Sequence, residues 1–300
     1  MKQFDITIPA SSANLGPGFD SAGLALNRYL TLYVKKQEKW EFVHNSHFLP
    51  IHTDYEDHFI YHVADQTARR HEVSLPGCKV IVNSGIPLAR GLGSSASAVL
   101  AGIELANQLC DLSLTPEQKL QYGTEIEGHP DNVAASLFGG MVITATVQNK
   151  VEYVRLPSLD LDIVVYMPEV ELKTEAARRI LPANFSREKA TIASAISNVM
   201  VASLLTGDYQ LAGKMMESDQ FHEPYRADLI PNYQNIKQEA RAINAYGTVI
   251  SGAGPTMISF VPKEQGGMIK KHMAALFSSY QVAALEIDPH GLQIKSDVSI

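Results

Sequence analysis

The sequence predicts an α+β protein built of two units, and three observations carry that expectation. Small-residue loops follow β-rich runs near both ends of the chain, and helical and strand patterns mix without a regular strand–helix–strand repeat. Leu156-Pro157-Ser158 then breaks the pattern near the middle, which divides the chain into 1–156 and 157–300. With 300 residues and 45% hydrophobic content, the chain can bury a full core.

Taken in order, Phe4 to Ile8 alternates and reads as a strand leading into Pro9-Ala10-Ser11-Ser12-Ala13-Asn14-Leu15-Gly16-Pro17-Gly18-Phe19-Asp20. Helices are expected at 58–71, 94–110, 115–127 and 131–138, followed by a strand from Met141 to Val147. Leu161 to Met167 opens the second unit as a strand. Helices near 174–181, 187–205, 208–218 and 232–244, strands around 248–260 and a helix at 263–279 complete it. Within Thr191 to Leu205, Ile192, Ile196, Val199 and Met200 share one helical face among interspersed serines, so a core helix is expected there and not a membrane span.

Composition excludes several classes. The formal net charge is −7, 19% of residues are charged, and no basic patch of five or more residues occurs, so nucleic acid and anionic membranes are poor partners. An anionic substrate must then be attracted locally, by loops and individual arginines. Cys78 and Cys110 alone make neither a disulfide framework nor a zinc cluster, and the N-terminus lacks the basic-then-apolar layout of a signal peptide. A cytoplasmic enzyme fits these observations.

The most informative stretch is Pro87-Leu88-Ala89-Arg90-Gly91-Leu92-Gly93-Ser94-Ser95-Ala96-Ser97, followed by the helical pattern Ala96, Val99, Leu100, Ile103, Ala106. Two glycines let the backbone turn sharply, and the helix start presents unpaired amides and a positive dipole end, which together suit a phosphate. A lysine-containing P-loop is excluded, because no lysine lies between Lys79 and Lys119. Gly91-x-Gly93-x-x-Ala96 fits a dinucleotide fingerprint, but Asp111 is followed by Leu-Ser-Leu-Thr-Pro-Glu, a helix start where that motif needs a strand end. A plain turn that starts a helix is the remaining alternative.

Two other segments share this character: residues 9–20 and Ser251-Gly252-Ala253-Gly254-Pro255-Thr256. Together with residues 87–97 they resemble, in order, the three signature segments of the GHMP small-molecule kinases. The resemblance implies a ribosomal-S5-like first domain, a ferredoxin-like second domain, ATP as phosphoryl donor and Mg²⁺ bound by Ser95 and Glu127, with Glu125 in reserve. Ile126 to Ala134, Lys173 to Pro182 and Glu223-Pro224-Tyr225-Arg226 resemble the branch of the family that phosphorylates L-homoserine in threonine biosynthesis. That branch implies Asn14, Asp20, His129 and Asn132 around the amino acid, with Arg178 and Arg226 at its carboxylate or near the phosphates. Thr174 would align the transferred group, unless it is only a helix N-cap.

Many family members carry Asp where this chain has Asn132, and Asn cannot take a proton, so no strong general base is expected. His58 stands where the family often has an asparagine near the adenine. Kinases acting on mevalonate or a methylerythritol derivative, and a non-catalytic nucleotide-binding regulator, are the competing readings. A homodimer is suggested by resemblance only.

Overall fold

The computed structural model describes residues 3–49 and 54–296. The chain begins with β1 (Gln3–Asn14), β2 (Gly18–Lys36), β3 (Glu41–His44), α1 (Phe59–Arg70) and β4 (Cys78–Ser84). It continues through α2 (Ser94–Leu109), α3 (Pro116–Glu127), α4 (Asp131–Phe138), β5 (Met141–Val147) and β6 (Lys150–Arg155). Next come β7 (Leu161–Pro168), α5 (Thr174–Arg179), α6 (Arg187–Thr206), α7 (Tyr209–Met216) and α8 (Glu223–Arg226). The last elements are α9 (Tyr233–Ala242), β8 (Gly247–Ile250), β9 (Met257–Pro262), α10 (Gly266–Leu276), β10 (Tyr280–Leu285) and β11 (Gln293–Ser296).

The first sheet runs β11-β1-β2-β4-β3, with β5 joined to β2 and β6 to β5. Strand β2 serves three neighbours because it is long: Leu30–Lys36 pairs with β4, Ala22–Leu24 with β5, and most of its length with β1. Its alternating Leu24, Leu26, Leu30, Leu32 and Val34 are all buried, which fixes the register. The first small-residue segment is not the loop expected from the sequence. Residues 9–14 belong to β1, bulged at Pro9/Ala10 and Ala13/Asn14, and only Leu15–Pro17 form the turn. Their small side chains leave room for α2 and α4 to pack closely on the strand.

The second sheet runs β10-β7-β9-β8, all antiparallel. Counted along the chain this is the 4-1-3-2 order of a ferredoxin-like βαββαβ unit. Buried on both faces, β7 reads as the continuous apolar run Ile163-Val164-Val165-Tyr166-Met167. Ile163, Val165 and Met167 join one core that also contains β1, β2 and α2, while Val164 and Tyr166 join a second with α9 and α10. The core therefore runs continuously between the two sheets. A cut at 156/157 leaves β11 on the far side from the sheet that it completes.

Helix α6 departs from expectation. Ala193, Met200, Ser203 and Leu204 are its buried positions, whereas Ile192 and Val199 are exposed. The spacing identified a helix face correctly, but the packed face lies to one side of it, against α7. By length and composition α6 is apolar enough to cross a membrane, with 22% of its most apolar window buried.

Helix α3 shows how local sequence starts an element. Thr115 Oγ1 accepts from Gln118 N and Gln118 Oε1 accepts from Thr115 N, a closed capping box with Pro116 in the first turn. This start disposes of the dinucleotide reading. α2 and α3 are then tied by Glu104, 0% exposed, whose carboxylate takes Lys119 Nζ at 2.6 Å, Asn107 Nδ2 at 3.0 Å and Gln108 Nε2 at 2.7 Å. Breaking this buried pair strands Lys119, so Glu104→Ala is expected to lower unfolding free energy by about 3 kcal/mol in urea titration. A loss below about 1 kcal/mol would show that the pair contributes as little as an exposed one.

Candidate active site

Three stretches far apart in sequence meet through their main chains. Ser11 N donates to Leu92 O at 3.1 Å, Gly252 N to Ala13 O at 2.9 Å, Asn14 Nδ2 to Gly252 O at 2.8 Å, and Ser251 Oγ to Gly91 O at 2.6 Å. Contact this close requires glycine. Gly91 and Gly93 have φ of +72° and +68°, and a Cβ on them would lie 2.2 Å from Ser251 O and 2.1 Å from Ser11 Oγ.

Gly93 is also the N-cap of α2, so no side chain caps that helix and no acid stands in its first turn. Side chains of His58, Thr115, Ser186 and Asp208 cap α1, α3, α6 and α7. The leading amides of α2, without acceptors inside the helix, border a cavity of about 290 Å³.

The cavity collects most of the expected site. From residues 87–97 it is lined by Ala89, Gly91, Gly93, Ser94, Ser95 and Ala96. Asn14, Asp20, Glu127, His129, Asn132 and Thr174 line it from other elements, together with Arg178 and Arg226. The remaining loop residues face elsewhere. Pro87 and Leu92 are buried, Leu88 lines a neighbouring pocket, and Ser97 Oγ lies 3.0 Å from Gly93 O and 3.2 Å from Pro9 O. Arg90 donates to the carbonyls of Pro168 at 3.0 Å and Glu169 at 2.5 Å.

Ser95 Oγ donates to Glu127 Oε1 at 2.5 Å. Burial pushes the Glu127 carboxyl above its ordinary value, against the opposing pull of the Ser95 hydrogen bond and His129. Two hard oxygens side by side, one carrying a charge that burial leaves short of compensation, suit a hard divalent ion such as Mg²⁺. Glu125 does not compete for that role: it is exposed, paired with Arg70 at 2.5 Å, and outside the cavity.

Arg178 grips Asp20 through two hydrogen bonds, 2.6 and 3.1 Å, and this grip lifts its pKa further. Arg226 is 1% exposed. Its Nε donates to Ala177 O at 3.0 Å and its Nη1 lies 3.2 Å from both Gly252 O and His222 Nδ1. Burial, followed by the charge of Arg178, lowers its pKa to about 10, so it stays charged at neutral pH. Phe19 lies 5.5 Å below both guanidiniums and stacks on His222.

His129 Nδ1 pairs with Asp131 Oδ1 at 2.7 Å. Burial works against charge on this ring, but the hydrogen bond and charge of Asp131 outweigh it and raise the pKa. Asp20, His129 and Asp131 lie close enough to hold an ion together, but Arg178 already neutralises Asp20, so we read the group as an ion-pair network. Asn132 Oδ1 accepts from Ser11 Oγ at 2.9 Å, and Ser136 Oγ donates to Ser11 Oγ at 3.0 Å. This hydroxyl chain occupies the Asn132 oxygen and leaves its amide N–H groups for a ligand. Thr174 is not a cap: Lys173 holds that position, and the helix start has no side-chain cap.

A second, apolar pocket of about 400 Å³ adjoins the first and shares Ala89, Ser94 and Ser95 with it. Leu49, Ile60, Val82, Ile86 and Leu88 supply its apolar wall, with His58 beside them. His58 has a structural task as well. Its Nδ1 accepts from Ile60 N at 3.2 Å to cap α1, and its Nε2 lies 2.9 Å from His44 Nε2.

Sequence reasoning passed over Phe19, Asp131, Lys173 and His222. Lys173 and Asp131 line the cavity, and Asp131 was legible as the residue after His129-Pro130. His222 had no signal, because its role depends on Gly16 O accepting from Nε2 across 206 residues of chain at 3.0 Å.

Known proteins resemble this chain over nearly its whole length. Residues 58–140 match the family model "GHMP kinases N terminal domain" and residues 200–278 match "GHMP kinases C terminal". A homoserine kinase of Oceanobacillus iheyensis is 52% identical over 297 residues, covering 98% of this chain and all of the relative. One from Staphylococcus aureus strain Newman is 45% identical, covering 96% of each. The crystal structure of homoserine kinase from Cytophaga hutchinsonii superposes with a TM-score of 0.85 at 26% identity, covering 98% of this chain and 97% of that one. A mevalonate kinase structure, at 16% identity and a TM-score of 0.72 over 95% and 99%, shares the fold. The chain belongs to the GHMP kinase family and, within it, to the homoserine kinases.

Proposed function

We propose that this enzyme transfers the γ-phosphoryl group of ATP to the side-chain hydroxyl of L-homoserine, giving O-phospho-L-homoserine. One observation carries the reading: the uncapped start of α2 shares a cavity with an acid–arginine pair shaped for a zwitterion. The substrate ammonium takes Asp20 and its carboxylate takes Arg178, so each charge of the pair keeps a partner after the two separate. Mevalonate-type acceptors carry no ammonium and give Asp20 nothing to hold. A non-catalytic regulator has no need of the Ser95–Glu127 pair.

The chemistry is mostly positioning and charge neutralisation. Amides at the start of α2 hold the β- and γ-phosphates, and the apolar pocket beyond Ala89 receives the nucleoside. Ser95 and Glu127 would hold Mg²⁺, which would supply positive charge against the phosphates. Asn132 donates an amide N–H to the acceptor oxygen, and Thr174 lies beside the transfer path. Because Asn132 cannot accept a proton, the hydroxyl loses its proton late, to the phosphoryl oxygens.

With MgATP, an ADP-release assay over amino acids and diols is expected to give turnover with L-homoserine. A diol lacking the ammonium and carboxylate should lose about 10⁴-fold in kcat/KM, as sites with stranded polar groups do. Equal turnover of the diol would refute the amino-acid assignment. Arg226→Lys cannot reach Ala177 and Gly252 together and should raise KM for the amino acid about tenfold more than KM for ATP. Equal rises would place Arg226 on the nucleotide.

Glu127→Gln tests the metal grip and the burial strain together. Because the folded-state pKa of Glu127 is raised, the folded chain binds more protons there, and stability falls as pH rises through that value. Glu127→Gln should also lose about 10²-fold or more in kcat/KM for MgATP, because it removes an oxygen that would hold the metal. Its ligand-free Tm at neutral pH should match or exceed that of the parent, with the difference closing in acid. A lower Tm at neutral pH would assign Glu127 a stabilising role instead.

A further inference from the structure

Arg90 lies inside the nucleotide loop but does not face the cavity. Its guanidinium donates to the carbonyls of Pro168 and Glu169, and the neighbouring Ala89 O accepts from Leu172 N at 3.1 Å. Two consecutive loop residues thus hold both ends of the 168–172 segment, whose middle, Glu169, Val170 and Glu171, is exposed. That segment leads directly into Lys173, Thr174 and Arg178, which line the acceptor side. Ala89, at a left-handed φ of +51°, borders both the apolar pocket and the polar cavity. A ligand that settles in the apolar pocket touches the residue whose carbonyl anchors the acceptor segment.

We propose that Arg90 is a positioning residue that couples the two substrates. Nucleotide fixes the 89–90 backbone, the two Arg90 hydrogen bonds and the Ala89–Leu172 bond carry that order to residues 168–172, and Thr174 and Arg178 are set for the amino acid. Each substrate then binds tighter in the presence of the other, by the same factor in both directions. The inference rests on the reading that residues 91–97 hold the nucleotide. Coupling through such an element is commonly about five- to 150-fold.

The test is calorimetry of the full-length protein with L-homoserine, without and with saturating Mg·AMP-PNP, alongside steady-state kinetics. The parent enzyme should bind L-homoserine at least about fivefold tighter with the analogue present. Arg90→Ala should bring that ratio to about one, leave the Kd for Mg·AMP-PNP alone within about threefold, and raise KM for L-homoserine more than KM for ATP. Arg90→Lys, which keeps the charge and reaches one carbonyl, should give an intermediate ratio, and it stands as the test if the alanine variant fails to fold.

A parent enzyme without coupling, or variants that retain the parent ratio, would overturn the inference. So would a variant that loses affinity for Mg·AMP-PNP alone while the ratio is kept, since Arg90 would then be a nucleotide ligand. A parent enzyme that binds L-homoserine but no nucleotide would defeat the functional reading itself.

Discussion

Main-chain contact among three distant segments is the constraint on which the site depends. Gly91, Gly93 and Gly252 all have positive φ, and Gly91 and Gly93 lie so close to Ser251 and Ser11 that a single carbon would not fit. Hydrogen bonds from Ser11, Gly252, Asn14 and Ser251 close the arrangement. The start of α2 is thereby presented without a capping side chain, and its amides remain available to an anion. Fixed backbone donors need little reorganisation when charge arrives, which is why this geometry suits phosphoryl transfer.

Around that rigid cradle, the charged side chains are arranged in pairs that a ligand can replace. Arg178 and Asp20 hold each other, whereas Arg226 is pinned by carbonyls and by stacking over Phe19. The cavity therefore has one arginine held in an ion pair with Asp20 and one locked in place by carbonyls. Glu127 differs from both: among the described residues a serine hydroxyl is its hydrogen-bond partner, and burial works against its charge. Of these groups it has the most to gain from a cation.

Much of this was legible in the sequence, for identifiable reasons. Glycine spacing and small-residue runs mark places where backbones approach, so the three segments stood out before any fold was known. The helix start at Leu-Ser-Leu-Thr-Pro-Glu and the strand pattern from Leu161 to Met167 announced α3 and β7. What failed depended on tertiary placement. The exposed face of α6 carries Ile192 and Val199, and periodicity cannot say which side of an amphipathic wedge will be covered. Arg90 looked like part of the phosphate loop because neighbours in sequence share a motif. Its side chain turns instead to Pro168 and Glu169, 78 and 79 residues away. β11 offers only Gln-Ile-Lys-Ser, too short a pattern to read, and forms because β1 presents an open edge.

A crystal structure with Mg·AMP-PNP and L-homoserine bound tests the central claim most directly. The account predicts β- and γ-phosphate oxygens within hydrogen-bond distance of amides in residues 91–97, with the amino-acid ammonium on Asp20. A triphosphate held by side chains elsewhere, with the start of α2 left to solvent, would contradict it.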